Sequence, residues 1–177
     1  MEISRDNRSF IVRGVVLMKI IEYDSIYDEQ IKDLLVDLQN YLIDIDDWHT
    51  QILSNNYRED YFEIDLELIN KQDGKIFLAI ENDKIIGLVL GVVNLNDEID
   101  KLTNDCAKTG NVLELIVKNS SRGHGIGKSL LNEIETYFKN INCKRINIEV
   151  FGPNKSALNF YLKNDYTIRD YIVSKKI

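Results

Sequence analysis

The sequence predicts a mixed α/β fold, one sheet flanked by helices in the order β-α-α-β-β-β-α-β-α-β. Three observations carry that prediction. An apolar run at 112–117 leads into Gly123, Gly125 and Gly127, and an amphipathic stretch at 130–138 follows at once. That is the layout of strand, tight turn and helix. Two further apolar runs, 75–80 and 84–93, are separated by the polar pair Asn82-Asp83, the composition of a tight hairpin. Upstream, Ile31, Leu34, Leu35, Leu38, Tyr41, Leu42 and Ile45 recur at helical spacing.

Taken in order, Met18-Lys19-Ile20-Ile21-Glu22-Tyr23 reads as the first strand of a single domain over 18–177. Residues 1–17 read as an N-terminal extension, with an added segment, an upstream start and an extra edge strand over 10–17 all open. Ser25 is placed to cap the first helix. Asn55 and Asn56 separate it from a second helix, whose Tyr57, Tyr61, Ile64 and Leu68 fall on one side. The hairpin 75–80 and 84–93 comes next, then a polar connection over 94–110 and a strand at 111–117. Helix 125–140, strand 144–151, helix 154–163 and strand 166–173 complete the chain. With one proline in all, no rigid linker divides the domain.

Composition narrows the function. At 177 residues and 44% hydrophobic content, the chain is sized for one domain with a real core. No apolar run approaches the length of a membrane-spanning helix. The apolar stretch 10–18 is broken by Arg13 and lacks a small-residue cleavage site, so no signal peptide is expected. Cys106 and Cys143 form neither a disulfide framework nor a metal-binding spacing. Reduced thiols in a cytoplasmic protein are expected. His49 and His124 have no partner set, so no metal is expected. A net charge of −7 argues against nucleic acid or an anionic membrane as the main partner. It leaves room for a local basic site from Lys118, Arg122, His124, Lys128 and Lys144.

The glycine turn points several backbone N–H groups at one place on the positive end of a helix dipole, which suits phosphate. Glycine has no Cβ to collide with a phosphate oxygen. A nucleoside-triphosphate P-loop needs a glycine five positions before Gly127, where Arg122 stands; counted from Gly123 the loop is one residue short. A dinucleotide fingerprint needs Gly-x-Gly-x-x-Gly, whereas the spacing here is Gly-x-Gly-x-Gly. Its acidic ribose partner would fall near Asn142 and Cys143, which cannot play that role.

Arg122-x-x-Gly125-x-Gly127 resembles the pyrophosphate signature of the Gcn5-related N-acetyltransferases (GNAT), which bind acetyl-coenzyme A. Where that family often has proline three residues before the arginine, this chain has Asn119. A second block agrees in order and distance. A β-branched strand at 145–151 is followed by Gly152-Pro153-Asn154, Ala157, Phe160-Tyr161 and Asp165-Tyr166, similar to the family's asparagine, alanine and Phe-Tyr pattern. Asp165 stands where the family usually has glycine, and aspartate tolerates a left-handed helix end. The resemblance spans 18–173. It implies a mostly antiparallel central sheet and transfer of an acetyl group from acetyl-CoA to a primary amine. Peptide or protein N-acetylation and a non-catalytic CoA-binding module are the alternatives.

The same resemblance assigns roles. Amides of Arg122, Gly123, His124, Gly125, Ile126, Gly127 and Lys128 would hold the pyrophosphate. Leu115, Ile116 and Val117 would offer backbone groups to the pantetheine arm like an added strand. Asn154 would contact that arm, with Ala157 in the same pattern, and Asn154 can cap its helix at the same time. Tyr161 matches the family tyrosine that protonates the departing sulfur; packing beside Phe160 is the plainer reading. Glu114, a lone acid in an apolar strand, is the candidate proton acceptor, directly or through water, because burial would raise its pKa. Strand alternation groups it with Ile116, opposite Leu113, Leu115 and Val117. An outward carboxylate, with water alone as the base, remains open.

The family builds its acceptor pocket between the first two helices. Here Asp44, Asp46, Asp47, Glu59, Asp60, Glu63, Asp65 and Glu67 are interleaved with Tyr41, Trp48, Tyr57, Tyr61 and Phe62, against the single basic residue Arg58. Carboxylates and ring faces suit a cationic amine of polyamine or aminoglycoside type. Asp46, Asp47, Trp48 and Tyr61 are the candidate contacts, and a solvated helix face is the alternative. The partner is thus a small-molecule amine, with a homodimer through the C-terminal strand left open.

Overall fold

The computed structural model describes residues 9–12, 15–95, 100–103 and 108–177. Six strands form its sheet: Ser9–Val12 (β1), Val15–Glu22 (β2), Lys75–Glu81 (β3), Lys84–Leu95 (β4), Lys108–Val117 (β5) and Arg145–Ile148 (β6). They lie in chain order, and every neighbouring pair is antiparallel except β5–β6, which is parallel. The helices are Asp28–Asp44 (α1), Tyr57–Lys71 (α2), the short Asp100–Thr103 (α3), Ile126–Asn140 (α4) and Lys155–Leu162 (α5). This is the predicted mixed, mostly antiparallel sheet with flanking helices.

Local chemistry explains where elements turn. Asn82 and Asp83 have φ of 48° and 59°, the left-handed pair that matches a two-residue hairpin to strand twist. Asp165 has φ 66°, and the Tyr166 amide donates to the Tyr161 carbonyl at 3.2 Å. The aspartate therefore ends α5 as a glycine would.

Four expectations need correction. The strand expected from Met18 begins at Val15 as β2, and β1 pairs with it in a hairpin, in line with the edge strand left open for the N-terminal extension. The strand expected at 166–173 does not form. Its Ile168, Tyr171, Ile172 and Val173 are exposed, because β-forming residues make a strand only where a neighbour offers a ladder. The cap near the first helix is Asp24, whose carboxylate accepts from the Ile26 amide at 3.0 Å, while Ser25 opens a short 3₁₀ turn. On α2 the buried stripe runs through Phe62 and Asp65, and Ile64 is 56% exposed. The ring of Phe62 rather than Ile64 faces the sheet, which rotates the predicted face. Cys106 lies outside the described residues; Cys143 is a half-buried free thiol.

The sheet is covered on both sides. Leu130, Leu131, Ile134 and Phe138 of α4 pack with Ala79, Val89, Val93 and Val112. Ile31, Leu34 and Leu35 of α1, with Phe62 of α2, pack with Leu78, Leu88, Leu90 and Ile116 on the opposite face. Each such side chain contributes roughly 1.5–3 kcal/mol on burial. A Cβ at Gly110 would sit 2.5 Å from the Phe138 ring, so glycine there makes room for the fully buried phenylalanine.

Two irregularities shape the site. Leu90 pairs with Glu114 and Gly91 with Val112, which leaves Leu113 as an extra residue on β5. Without that bulge Val112 and Glu114 would share a face. With it, Val112 packs on the α4 side, and Glu114 and Ile116 turn toward α1 and α2. The second irregularity is where the parallel ladder stops. β6 pairs with β5 only over 109–112, so, among the described residues, 113–117 have no strand neighbour on that side.

Candidate functional site

That free edge of β5 opens onto a cleft of about 390 Å³. Its walls are the end of β5, the glycine turn with the start of α4, the inner face of α5, and Leu38 and Tyr41 of α1. Leu115, Ile116, Val117, Arg122, Gly123, Gly125, Ile126, Gly127, Lys128, Asn154, Ala157 and Tyr161 all line it. Of the residues predicted to hold the donor, only His124 is not in the wall; it is exposed, with Nδ1 3.3 Å from the Ser121 carbonyl.

Gly123 and Gly125 have φ of 82° and 79°, a conformation that would strain any residue with a Cβ. No atom lies within 4 Å of where a Cβ would stand at either. The turn is therefore open on its outer side. Gly125 is the N-cap of α4, and no side chain caps the helix, which leaves its first-turn amides without the usual side-chain acceptor. Gly127 packs under Phe160 of α5: a Cβ there would stand 3.4 Å from that ring, an ordinary contact distance. Arg122 folds back, with Nε donating to the Val117 carbonyl at 3.0 Å, and so ties the turn to the end of β5. An anion with a long arm fits these features, the charge on the amides and the arm along the unpaired edge.

On α5, Asn154 Oδ1 accepts from the Ala157 amide at 3.1 Å and from the Tyr41 hydroxyl at 3.4 Å. It caps the helix and joins it to α1 across the cleft. Tyr161 stands edge-on to Phe160, with ring centroids 5.3 Å apart. Burial first, then the nearby charge of Glu114, raises its pKa, so the hydroxyl keeps its proton at neutral pH.

Glu114 is 8% exposed and accepts from the Tyr61 hydroxyl at 2.7 Å. Burial pushes its carboxyl up to about 7, against the lowering effect of that hydrogen bond. It lies behind the cleft wall rather than in it. Asp65, named in the acidic acceptor wall but not among its four candidate contacts, is 4% exposed. Burial, and then the charge of Glu114, pushes it up to about 7. Tyr57 and Tyr61 stack nearby at 4.8 Å.

The four predicted acceptor contacts do not converge. Tyr61 reaches Glu114, as described. Asp46 organises its own loop, accepting from the amides of Trp48, Thr50 and Gln51 and from the Thr50 hydroxyl at 2.6–3.0 Å. Burial would raise its pKa, but these hydrogen bonds hold it near 2. Asp47 and Trp48 are exposed beyond that loop, where the Lys176 ammonium lies 5.5 Å from the Trp48 ring centroid. Glu59 is paired with Lys32 and Arg58, so part of the acidic run is neutralised at the surface.

Leu38, Tyr41, Ser121, Ser156 and Phe160 also line the cleft; the sequence placed Tyr41 in the acceptor wall and Phe160 in the α5 pattern, while Leu38, Ser121 and Ser156 were not predicted. Tyr41 carries no local signal, since its partner lies 113 residues away. Asp65 did carry one: an acid on the apolar stripe of a helix. Among the described residues no group of acids, histidines and cysteines could hold a metal ion. Nor, among them, is any helix long and apolar enough to cross a membrane.

The pattern of the acetyltransferase (GNAT) family matches residues 42–166. An uncharacterized N-acetyltransferase of Methanocaldococcus jannaschii is 32% identical over 94 residues, 52% of this chain and 53% of that protein. The acetyltransferase PseH of Campylobacter jejuni is 32% identical over 114 residues, 62% of this chain and 64% of its own length. The chain thus matches between half and two thirds of each relative. In fold, it is similar to the BH1408 protein of Bacillus halodurans, solved as a tetramutant, with TM-score 0.77 and 16% identity over 89% of this chain and 99% of the other.

Proposed function

The chain belongs to the GNAT family of acetyltransferases, and from that premise we propose that it transfers an acetyl group from acetyl-CoA to the primary amine of a small cationic acceptor. The observation that carries this reading is the meeting, in one cleft, of the open glycine turn, the unpaired edge of β5 and the Tyr161 hydroxyl. Acetyl-CoA, when bound, supplies an activated acetyl group as a thioester. The amides of residues 123–128 and the N-terminal end of α4 attract its phosphates. Leu115, Ile116 and Val117 offer backbone groups to its arm, and Asn154 and Ala157 bound that arm from α5. Glu114, which lies behind the cleft wall, takes the proton of the incoming amine through a bridging water, and Tyr161 gives one to the departing sulfur. The free β5 amides are available to stabilise charge developing on the carbonyl oxygen.

The cationic preference rests on charge and on one contact. Lys176 of the chain itself places its ammonium over Trp48 and donates to the Trp48 carbonyl at 3.2 Å, so an acceptor cation would have to displace it to reach that aromatic face. Asp47 stands exposed next to it, while the role of Asp46 is to hold the loop. An assay of thiol release over a panel of amines tests the proposal. Polyamines and aminoglycosides are expected to give kcat/KM at least ~10-fold above neutral or acidic amines, in line with electrostatic steering. Preference for peptide amines would reject the acceptor class. Acetyl-CoA binding with no thiol release for any amine would reject transfer itself.

A further inference from the structure

The parallel part of the sheet, where β5 meets β6, carries polar atoms that the fold leaves unpaired. Thr109 Oγ1, Asn111 Oδ1 and Arg145 Nε are buried, and none has a hydrogen-bond partner. The mechanism above uses none of these residues, and none of them lines the acetyl-transfer cleft. Thr109 is 5% exposed, and Asn111 and Arg145 are half-buried. No ion pair among the described residues includes Arg145. A buried hydroxyl or amide without a partner destabilises the fold, and an unpaired guanidinium does so more. Apolar β-branched side chains would build the same strands without that cost.

Strand register brings the three side chains together. Thr109 pairs with Arg145, and Asn111 with Asn147, on adjacent same-face rungs of the ladder. Neighbouring strands lie about 4.8 Å apart and such rungs about 7 Å apart. The intervening residues fix the face. A Cβ at Gly110 would meet the Phe138 ring, and Val112, Ile146 and Ile148 pack on the α4 side. Thr109, Asn111, Arg145 and Asn147 therefore share the opposite face, which is also the face of Glu114. The unbulged β4 serves as a ruler, with Leu90 opposite Glu114, Val92 opposite Asn111 and Asn94 opposite Thr109. It sets the row about 7–14 Å from Glu114 along the sheet. Asn94 and Asn147 are exposed, so the row reaches solvent on both sides. We propose that this row is a binding site for a small hydroxycarboxylate, separate from the acetyl-CoA cleft. A guanidinium presents Nε and a neighbouring Nη as a fork that matches the two oxygens of a planar carboxylate. The Thr109 hydroxyl donates to the same group, and Asn111 Oδ1 accepts from the hydroxyl beside it. One positive charge then meets one carboxylate, and each unpaired buried atom gains a partner.

The site stands whether or not the chain transfers acetyl groups, and its test uses no activity. Malate is titrated into the whole protein at constant ionic strength, with the Arg145 Nε–H and Asn111 side-chain amide resonances as the readout. Both are expected to shift together and saturate, with a midpoint near 1 mM or below, on the order of what one bidentate charged contact with two further hydrogen bonds supports. Arg145→Gln is expected to weaken malate about 10-fold or more, and Thr109→Val several-fold. Inorganic phosphate, which is tetrahedral and does not match the planar fork, is expected to bind about 10-fold more weakly than malate. Saturating coenzyme A should leave the malate midpoint unchanged. The parent resonances decide binding even where Arg145→Gln fails to fold. Unshifted Arg145 and Asn111 resonances at about 20 mM malate would overturn the inference, leaving a patch that only water fills. Equal malate affinity in folded Arg145→Gln would overturn it too. Phosphate binding as tight as malate would overturn the ligand class, and competition by coenzyme A would overturn the separate site.

Discussion

Replacing Glu114 with glutamine is expected to lower kcat/KM by about 100-fold or more, the lower end of what a positioned base contributes. The amide is isosteric and can still accept from Tyr61, so packing is preserved. The same change has a second consequence, on stability. The folded Glu114 carboxyl is raised to about 7, so the folded state binds more protons than the unfolded chain between the ordinary carboxyl range and pH 7. Its neutral form carries no penalty below that window. Stability falls as pH rises through it, and the loss is complete above the folded value. Glu114→Gln abolishes this loss, which is on the order of 3 kcal/mol. The variant should therefore melt higher than the parent at pH 8 and match it near pH 4. Thermal melts at the two pH values, beside steady-state rates, check both parts. A variant that is fully active, or that melts lower at pH 8, would contradict a buried carboxyl kept for its proton affinity.

Replacing Tyr161 with phenylalanine is expected to slow kcat by about 10- to 100-fold, a moderate acid-catalytic effect, with acetyl-CoA affinity nearly unchanged. The ring keeps its edge-on contact with Phe160, and only the hydroxyl is lost. Because burial and Glu114 keep that hydroxyl protonated, the parent should lose no rate to tyrosine ionisation up to the alkaline limit of stability. Titration of acetyl-CoA by calorimetry and a pH profile of kcat are the checks. An unchanged kcat would remove the hydroxyl from proton transfer and leave Tyr161 as a packed aromatic.

The shape of the glycine-turn side of the cleft was legible in the sequence because its chemistry is local. Positive φ at Gly123 and Gly125 is a demand that a sequence meets with glycine at fixed spacing, and Asn154 caps a helix three residues from its partner. Asp165 was legible for the same reason. The acceptor side was not. Asp46 looks like its acidic neighbours, and only the loop conformation reveals that its oxygens are already engaged. The orientation of Glu114 depends on the extra residue at Leu113, and a β-bulge has no signature in an apolar strand. The missing final strand marks a further limit. Residues 166–173 have strand composition, yet pairing depends on an edge, and β6 ends at Ile148.

The central claim is that the glycine turn and the free edge of β5 hold acetyl-CoA. Calorimetric titration of acetyl-CoA into the parent protein and into Gly125→Val tests it most directly. Gly125 sits at φ 79° with open space beyond it, so valine strains the turn and projects into the space proposed for phosphate. Saturable one-to-one binding by the parent, weakened about 10-fold or more in Gly125→Val, is the expected result, a tenfold change being about 1.4 kcal/mol. No binding by the parent at about 1 mM acetyl-CoA, or equal affinity in the folded variant, would contradict it.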